Sequence, residues 1–195
     1  MNSILMTGDV TSFFGEAVDS ALAARKVEAS DGARQYLVGV LVAFAAKGER
    51  GALDRPVTLL LDEALHAPAA ERFDKLKRLG DGSLYVSGLF QDHLNARGVD
   101  VGYVQSVGAT AYGAAGSLMS RGEGRLDLFG ELAAKFGRFV AALHDVADAI
   151  FAGNPREPQG VLRLYERWQR TGSEILRRQL AEQGVFPVKA AGGLS

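Results

Sequence analysis

The sequence predicts an all-α protein, a single-domain bundle of about eight helices spanning residues 1–195. Three observations carry that prediction. Apolar residues recur at steps of three and four over most of the chain, as one face of an α-helix requires. Glycines and prolines fall between those segments, where helices stop and start. No β-branched run has a neighbouring run joined to it by hairpin turn chemistry.

The first helix opens at Thr11 or Ser12, either of which has a cap hydroxyl, and carries Phe14, Val18, Ala21, Leu22 and Arg25 along one stripe. Ser30 and Asp31 start a second. From Tyr36 to Ala46 nearly every residue is apolar, which predicts a helix buried on most sides and stopped at Gly48. The β-branched Val38, Val40 and Val42 leave a strand as the alternative there. A polar loop, Lys47 to Arg55, leads to Pro56 in the first turn of a third helix with Val57, Leu60, Leu61, Ala64 and Leu65 on one side.

Pro68 closes that helix and opens a fourth, Ala69 to Leu79, with Lys75, Lys77 and Arg78 in its last turn and Gly80 as its stop. Asp81 or Ser83 then caps a fifth, to about Arg97, ended by Gly98; Asp100 caps a sixth, to about Ser120. After a glycine-containing loop, Arg121 to Arg125, the seventh helix has the clearest periodicity. Phe129, Leu132, Phe136, Phe139, Leu143, Val146 and Ile150 form one continuous seam. Gly153, Pro155 and Pro158 interrupt the chain. A last helix, Val161 to Gln183, is stopped by Gly184, and residues 185–195 read as a tail that is disordered at its small-residue end, about 186–195.

Composition narrows the function classes. Hydrophobic residues make up 47% of the chain and charged ones 23%, an ordinary globular balance. A formal net charge of −1 gives no electrostatic case for nucleic acid, so none is expected as a partner. The absence of cysteine removes disulfides, thiolate metal sites and a cysteine nucleophile, and fits a reducing cytoplasm. The N-terminus lacks a basic region followed by an apolar core, and the longest apolar run is far shorter than the ~20 residues a bilayer requires. The expectation is a cytoplasmic chain with no membrane partner.

Leu76 to Met119 is the most informative stretch. Ser83, Ser87 and Gly88 lie on adjacent turns of one helix, and Gly108, Ala109, Gly113 and Gly116 on adjacent turns of another. A glycine inside a helix costs about 1 kcal/mol relative to alanine, so several together predict a compensating close approach of another helix backbone. On that argument Gly113→Leu overpacks the crossing. Tyr85, Phe90, Tyr103 and Tyr112 fill the volume beside it, with Asp81, Asp92, Asp100 and Gln105 as local partners for buried hydroxyls. The functional reading of the same stretch is a ligand cavity lined by small residues, with Tyr85, Tyr103 and Tyr112 as candidate ligand-binding residues.

The segments GDGSLYVSGLF (Gly80 to Phe90), VGATAYG and LYERW (Leu164 to Trp168) together resemble a pattern found in uncharacterised bacterial proteins of similar length. The resemblance implies the all-α fold over most of the chain. It carries no activity, cofactor or catalytic residue.

Glu63 and His66 form Glu-x-x-His, whose i,i+3 spacing puts both side chains on one helical face, as in di-iron carboxylate bundles. A complete site needs a second such motif, and the chain's three histidines do not supply one. His144 with Asp145, Asp148 and Glu131 is the imperfect substitute, so the metal candidates are Glu63, His66 and His144. The alternative places His66 at the surface near a helix end and His144 as a hydrogen-bonded, partly buried residue. No phosphate loop or nucleophile elbow is present. Gly80–Asp81–Gly82–Ser83 reads as a helix stop followed by a cap, because Asp81 repels a phosphate. Arginines on the last helix, around Trp168 and Tyr165, read as a solvated face. With no catalytic residue or cofactor assigned, the expected function is a non-enzymatic interaction or regulatory module with a protein partner or homo-oligomer. A small-molecule- or metal-binding bundle, which includes an enzyme, is the alternative.

Overall fold

A computed structural model describes residues 2–47, 53, 55–119, 128–151, 161, 164–166, 168–169, 172 and 174–186. Every regular element among them is helical. The helices are α1 (Asn2–Ala24), α2 (Asp31–Lys47), α3 (Val57–Leu65), α4 (Ala69–Leu89), α5 (Gln91–Ala96), α6 (Val101–Met119), α7 (Leu128–Ala134), α8 (Phe136–Phe151) and α9 (Glu174–Glu182). The fold is therefore the all-α multi-helix bundle predicted, and the strand alternative for residues 36–46 falls. Contacts divide the chain into two compact units, Met1–His144 and Asp145–Ser195.

Several boundaries follow from local chemistry. The Ser30 Oγ accepts the Ala33 N–H at 3.1 Å and caps α2. Asp100 does the same for α6, accepting from the N–H groups of Gly102 at 2.8 Å and Tyr103 at 3.3 Å. Pro56 and Pro68 stand immediately before α3 and α4. Gly98 and Gly184 take positive φ and close α5 and α9 with paired Schellman bonds: Val99 N–H to Leu94 O at 2.9 Å, and Val185 N–H to Leu180 O at 2.8 Å. Lys26, also at positive φ, ends α1 in the same way through Val27 N–H to Leu22 O at 2.9 Å.

Other boundaries differ from the sequence reading. Helix α1 begins at Asn2, ahead of the hydroxyls of Thr11 and Ser12; residues 2–10 contain no proline, and the helix runs through Gly8. The long seam from Phe129 to Ile150 is divided at Lys135, two residues before Gly137, although the Lys135 and Phe139 N–H groups keep their i−4 bonds at 3.0 Å. Gly172 adopts φ +65°, so the last helix is not continuous from Val161 to Gln183. The loop at 121–125, the Gly153–Pro158 interruption and the tail beyond Phe186 lie outside the described residues.

The largest departure is at Gly80. Helix α4 does not stop there. It runs through Gly80, Asp81, Gly82 and Ser83 to Leu89, and every residue from Leu79 to Leu89 is buried. This half-helix is the axis of the first unit, with α6 and the first part of α8 against it and α2 and α3 alongside. Its glycines are compensated by side chains seated over them. A Cβ on Gly80 would collide with the Tyr112 ring, and one on Gly88 would lie 2.7 Å from Leu143 Cβ. On the α6 side, a Cβ on Gly108 would collide with the Phe136 ring and approach Ser83 Cβ to 2.6 Å. Gly113 is different: its nearest neighbour would be Ala133 Cβ at 3.8 Å, ordinary contact, so it is not part of the tight crossing.

The reading of α2 as buried on most sides is also revised. Ala33, Leu37, Val40 and Leu41 are buried, but Gly39, Ala43 and Ala45 are exposed and Val38, Val42 and Phe44 only half-buried. Among the described residues α1, α4 and α7 pack against this helix, and its stripe at Val38, Gly39, Val42 and Ala43 lines an open groove.

In the second unit, Leu164, Trp168, Leu176 and Leu180 are buried together, with Val161, Tyr165 and Val185 packed against them. The Tyr165 and Trp168 rings meet at 5.8 Å.

Candidate functional site

Two regions of the first unit concentrate polar chemistry. One is buried and centred on Asp81. Tyr36, on α2, donates its hydroxyl to Asp81 Oδ1 at 2.5 Å, and Tyr112, on α6, donates to the same oxygen at 2.8 Å. Lys77, one helical turn before Asp81, donates from Nζ to Oδ2 at 2.7 Å. The ammonium also lies over the Tyr36 ring, 5.3 Å from its centroid. One carboxylate on α4 thus joins three helices.

The tyrosines respond to this arrangement. Burial pushes the Tyr36 and Tyr112 hydroxyls well above the ordinary phenol range, and the adjacent Asp81 carboxylate adds to the effect. Both are held as neutral donors. Both carboxylate oxygens are occupied by donors, and Tyr112 is fully buried. The cluster therefore ties α2, α4 and α6 together. Around it the rings of Tyr36, Tyr112 and Phe129 pack edge to face or tilted, with centroids 5.6 to 6.1 Å apart.

The second region is a groove of about 600 Å³ between α1 and α2. Its floor and walls are Gly15, Val38, Gly39, Val42 and Ala43, and its polar end is formed by Asp19, Asp31, Arg34 and Gln35. Arg34 grips Asp19 with two bonds, Nε to Oδ1 at 2.9 Å and Nη2 to Oδ2 at 2.6 Å, and reaches Asp31 at 3.4 Å. The bonds to Asp19 raise the guanidinium pKa further above its usual value. A Cβ added at Gly15 or Gly39 would meet nothing within 4 Å. A smaller depression of about 340 Å³, bordered by Leu22, Ala23 and Val27, shares the wall made by Asp19 and Arg34.

The three candidate ligand tyrosines serve three different neighbourhoods. Tyr112 belongs to the Asp81 cluster. Tyr85 is buried, its ring stacked on Phe44 at 4.3 Å and edge-on to Phe90 at 5.4 Å, and burial raises its hydroxyl pKa. Tyr103 is 44% exposed and shares a 2.9 Å hydrogen bond with Thr58. The groove is lined by other residues, from α1 and α2.

The metal candidates are engaged separately. Glu63 is held by both terminal nitrogens of Arg55, and that pairing lowers its carboxyl pKa. His66 Nδ1 lies 2.9 Å from the Asp62 carbonyl and 3.2 Å from its carboxylate. His144 Nδ1 lies 3.3 Å from Gly88 O. Asp145 and Asp148 are buried in the second unit. Among the described residues, no three His, Asp or Glu side chains converge as a cage for a metal ion.

Sequence reasoning named Asp81 as a hydroxyl partner but assigned it to a cap, and it missed Tyr36, Lys77 and the groove. The i,i+4 spacing of Lys77 and Asp81 was a usable signal, since it survives only if the helix continues past Gly80. The groove has a weaker signal, a helix with more apolar surface than one stripe needs. No described helix is long and apolar enough to cross a membrane. No family model matches the chain, and comparison with curated proteins and with solved structures returns no match either.

Proposed function

We propose that this chain is a non-enzymatic interaction or regulatory module whose contact surface is the α1–α2 face. The observation that carries this reading is the open apolar stripe of α2. A helix that is hydrophobic on nearly all sides is normally covered on nearly all sides. Here Val38, Gly39, Val42 and Ala43 line a groove that stays open among the described residues. A photo-crosslinking residue at Val42, introduced into the protein in living cells, tests the proposal. The expected result is a covalent adduct with protein at that face. No protein adduct from position 42, and none from 38 or 43, removes the reading.

One observation favours a second reading, a small-molecule-binding protein. The groove volume of about 600 Å³ lies within the range of ligand pockets. Its polar end offers Gln35 beside an arginine already neutralised by Asp19. Mass spectrometry of the intact protein under native conditions distinguishes the two, since a co-purifying ligand adds a discrete mass that denaturation releases.

A further inference from the structure

We infer that the α1–α2 groove takes a single amphipathic helix of another protein, one whose apolar stripe ends in lysine or arginine. The inference rests on the interaction reading above and names the chemistry of the partner. Charge, shape and length each narrow the occupant.

Charge fixes the sign. The polar end of the groove has two carboxylates, Asp19 and Asp31, to one guanidinium, Arg34. That guanidinium is spent on Asp19, through Nε to Oδ1 at 2.9 Å and Nη2 to Oδ2 at 2.6 Å. Asp31 keeps only a 3.4 Å contact with it, and its side chain is 91% exposed. Asp31 therefore retains acceptor capacity for a second cation. A basic side chain at the end of an apolar stripe reaches Asp31 while the stripe lies along Val38 and Val42. An acidic one would meet two carboxylates whose neighbouring arginine is already engaged.

Shape selects a helix. Each of the two helices that wall the groove contributes a glycine, Gly15 from α1 and Gly39 from α2. A Cβ at either would meet nothing within 4 Å, so bare backbone on both sides is open to an occupant. A third helix can then settle between them at the interaxial distance of about 8–10 Å normal for packed helices. Gly39 and Ala43 are exposed, so the groove covers one face of its occupant and leaves the other in water. A bound small molecule is usually about 70–90% buried, which requires walls on more sides than these. An amphipathic helix requires only one covered face.

Length sets how much of that helix is held. The lining residues run from Thr11 to Asp19 on α1 and from Asp31 to Ala43 on α2. At about 1.5 Å per residue these walls are about 12 and 18 Å long, or about two to three helical turns. Such a span takes apolar anchors at i, i+3 or i+4, and i+7, against Val38, Val42 and Ala43.

Fluorescence anisotropy of labelled synthetic helices, titrated with the full chain, tests the inference. The probe is a peptide of leucine, alanine and lysine, with one leucine stripe and its lysines at one end of that stripe. Its twin has glutamate in place of lysine. The lysine peptide should bind saturably, and the glutamate twin about tenfold more weakly or worse. Asp31→Asn should weaken the lysine peptide about two- to fivefold, the size of an exposed ion pair, and flatten its salt dependence. Gly39→Leu, at a position where a Cβ meets nothing, should cut binding about tenfold by filling the groove, with the helical circular dichroism unchanged. Gly15→Leu, on the opposite wall, repeats the test if Gly39→Leu folds poorly. No saturable binding overturns the inference. So does equal binding of the two peptides, or binding that folded variants at both glycines leave intact. If either result is found while position 42 still crosslinks to protein in cells, the basic helix falls and the interaction reading stands. No peptide binding and no adduct together overturn both.

Discussion

Helix α2 and the second half of α4 have exchanged the environments their compositions suggest. YLVGVLVAFAA, from Tyr36, is almost wholly apolar and is buried along one stripe. GDGSLYVSGL, from Gly80, contains four glycines or serines and an aspartate in its first eight residues, and is buried on every side. The difference shows what burial on all sides selects. A helix at the centre of a bundle has neighbours on each face, and their distance is set by side-chain size. Small residues let Tyr112 and Leu143 close over α4, so the apolar volume comes from the neighbours. Helix α2 has apolar volume of its own and fewer neighbours to use it. Apolarity alone therefore overstated the burial of α2, and the outward stripe of that helix becomes an informative surface of the molecule.

The sharpest way to break this comparison is to remove the one charge in the buried half of α4, Asp81. Asp81→Ala leaves the buried Tyr112 hydroxyl without its acceptor, frees Tyr36, and strips Lys77 of its partner. Removing one member of such a set costs about 3–5 kcal/mol. Denaturant unfolding should show a lower midpoint with an unchanged slope; a loss below about 1 kcal/mol would mean that water replaces the carboxylate at little cost. The same cluster makes an alkaline prediction. A tyrosine whose folded pKa is raised contributes stability below its unfolded pKa of about 10, and that contribution is lost as pH rises beyond it. Tyr36 and Tyr112 should therefore ionise only as the protein unfolds above about pH 10, and absorbance at 295 nm should rise in step with the loss of helix. Ionisation of all five tyrosines while the helix signal is intact would contradict it.

Next in size is Gly108→Ala. The added methyl would collide with the Phe136 ring and lie 2.6 Å from Ser83 Cβ, on a face where neither neighbour has a flexible end to move. Overpacking of this kind costs about 1–3 kcal/mol, although alanine is the better helix former. A stabilised Gly108→Ala variant would show that α4 and α6 can move apart freely.

A smaller effect belongs to Glu131, on α7. Burial pushes its carboxyl pKa up, but the Ser30 N–H at 3.0 Å and the Lys135 ammonium at 2.9 Å outweigh burial and leave it below the ordinary glutamate value. A carboxyl with a depressed folded pKa contributes stability above the unfolded pKa, near 4.5, and loses it as pH falls through the folded value. Glu131→Gln should therefore cost about 0.5–1.5 kcal/mol at neutral pH. The gap from wild type should close as the medium is acidified below that range. A gap independent of pH would assign the loss to packing.

These tests also mark how far the sequence was legible. Asp100, Ser30, Gly98 and Gly184 were readable because each acts on its own helix end, through bonds spanning two to five residues. The passage of α4 through Gly80 was not readable, since the helix continues on account of Tyr112, 32 residues away, seated where a Cβ would be. Asp81 was recognised as an acceptor for tyrosine, but Tyr36 is 45 residues distant and the pairing exists only once α2 lies beside α4. Tyr85, Tyr103 and Tyr112 share one stretch of sequence and three separate surroundings for the same reason. The groove was hidden behind an assumption, that an apolar helix must already be covered.

Gly113 gives the finest test, because sequence and structure disagree there about sign. As one of four small residues on α6 it counted as part of a close crossing, and a larger side chain was expected to destabilise. In the fold, a Cβ at Gly113 reaches only Ala133 Cβ, at 3.8 Å, and the position is half-buried. Gly113→Ala should therefore gain the helix preference of alanine without a clash, raising stability by up to about 1 kcal/mol. Measured beside Gly108→Ala, it separates two glycines five residues apart on one helix. One is required by a ring and a methylene packed against it, and the other faces space that a methyl can fill. Loss of stability at both would return Gly113 to the crossing, and would mean that Ala133 stands closer to α6 than 3.8 Å allows.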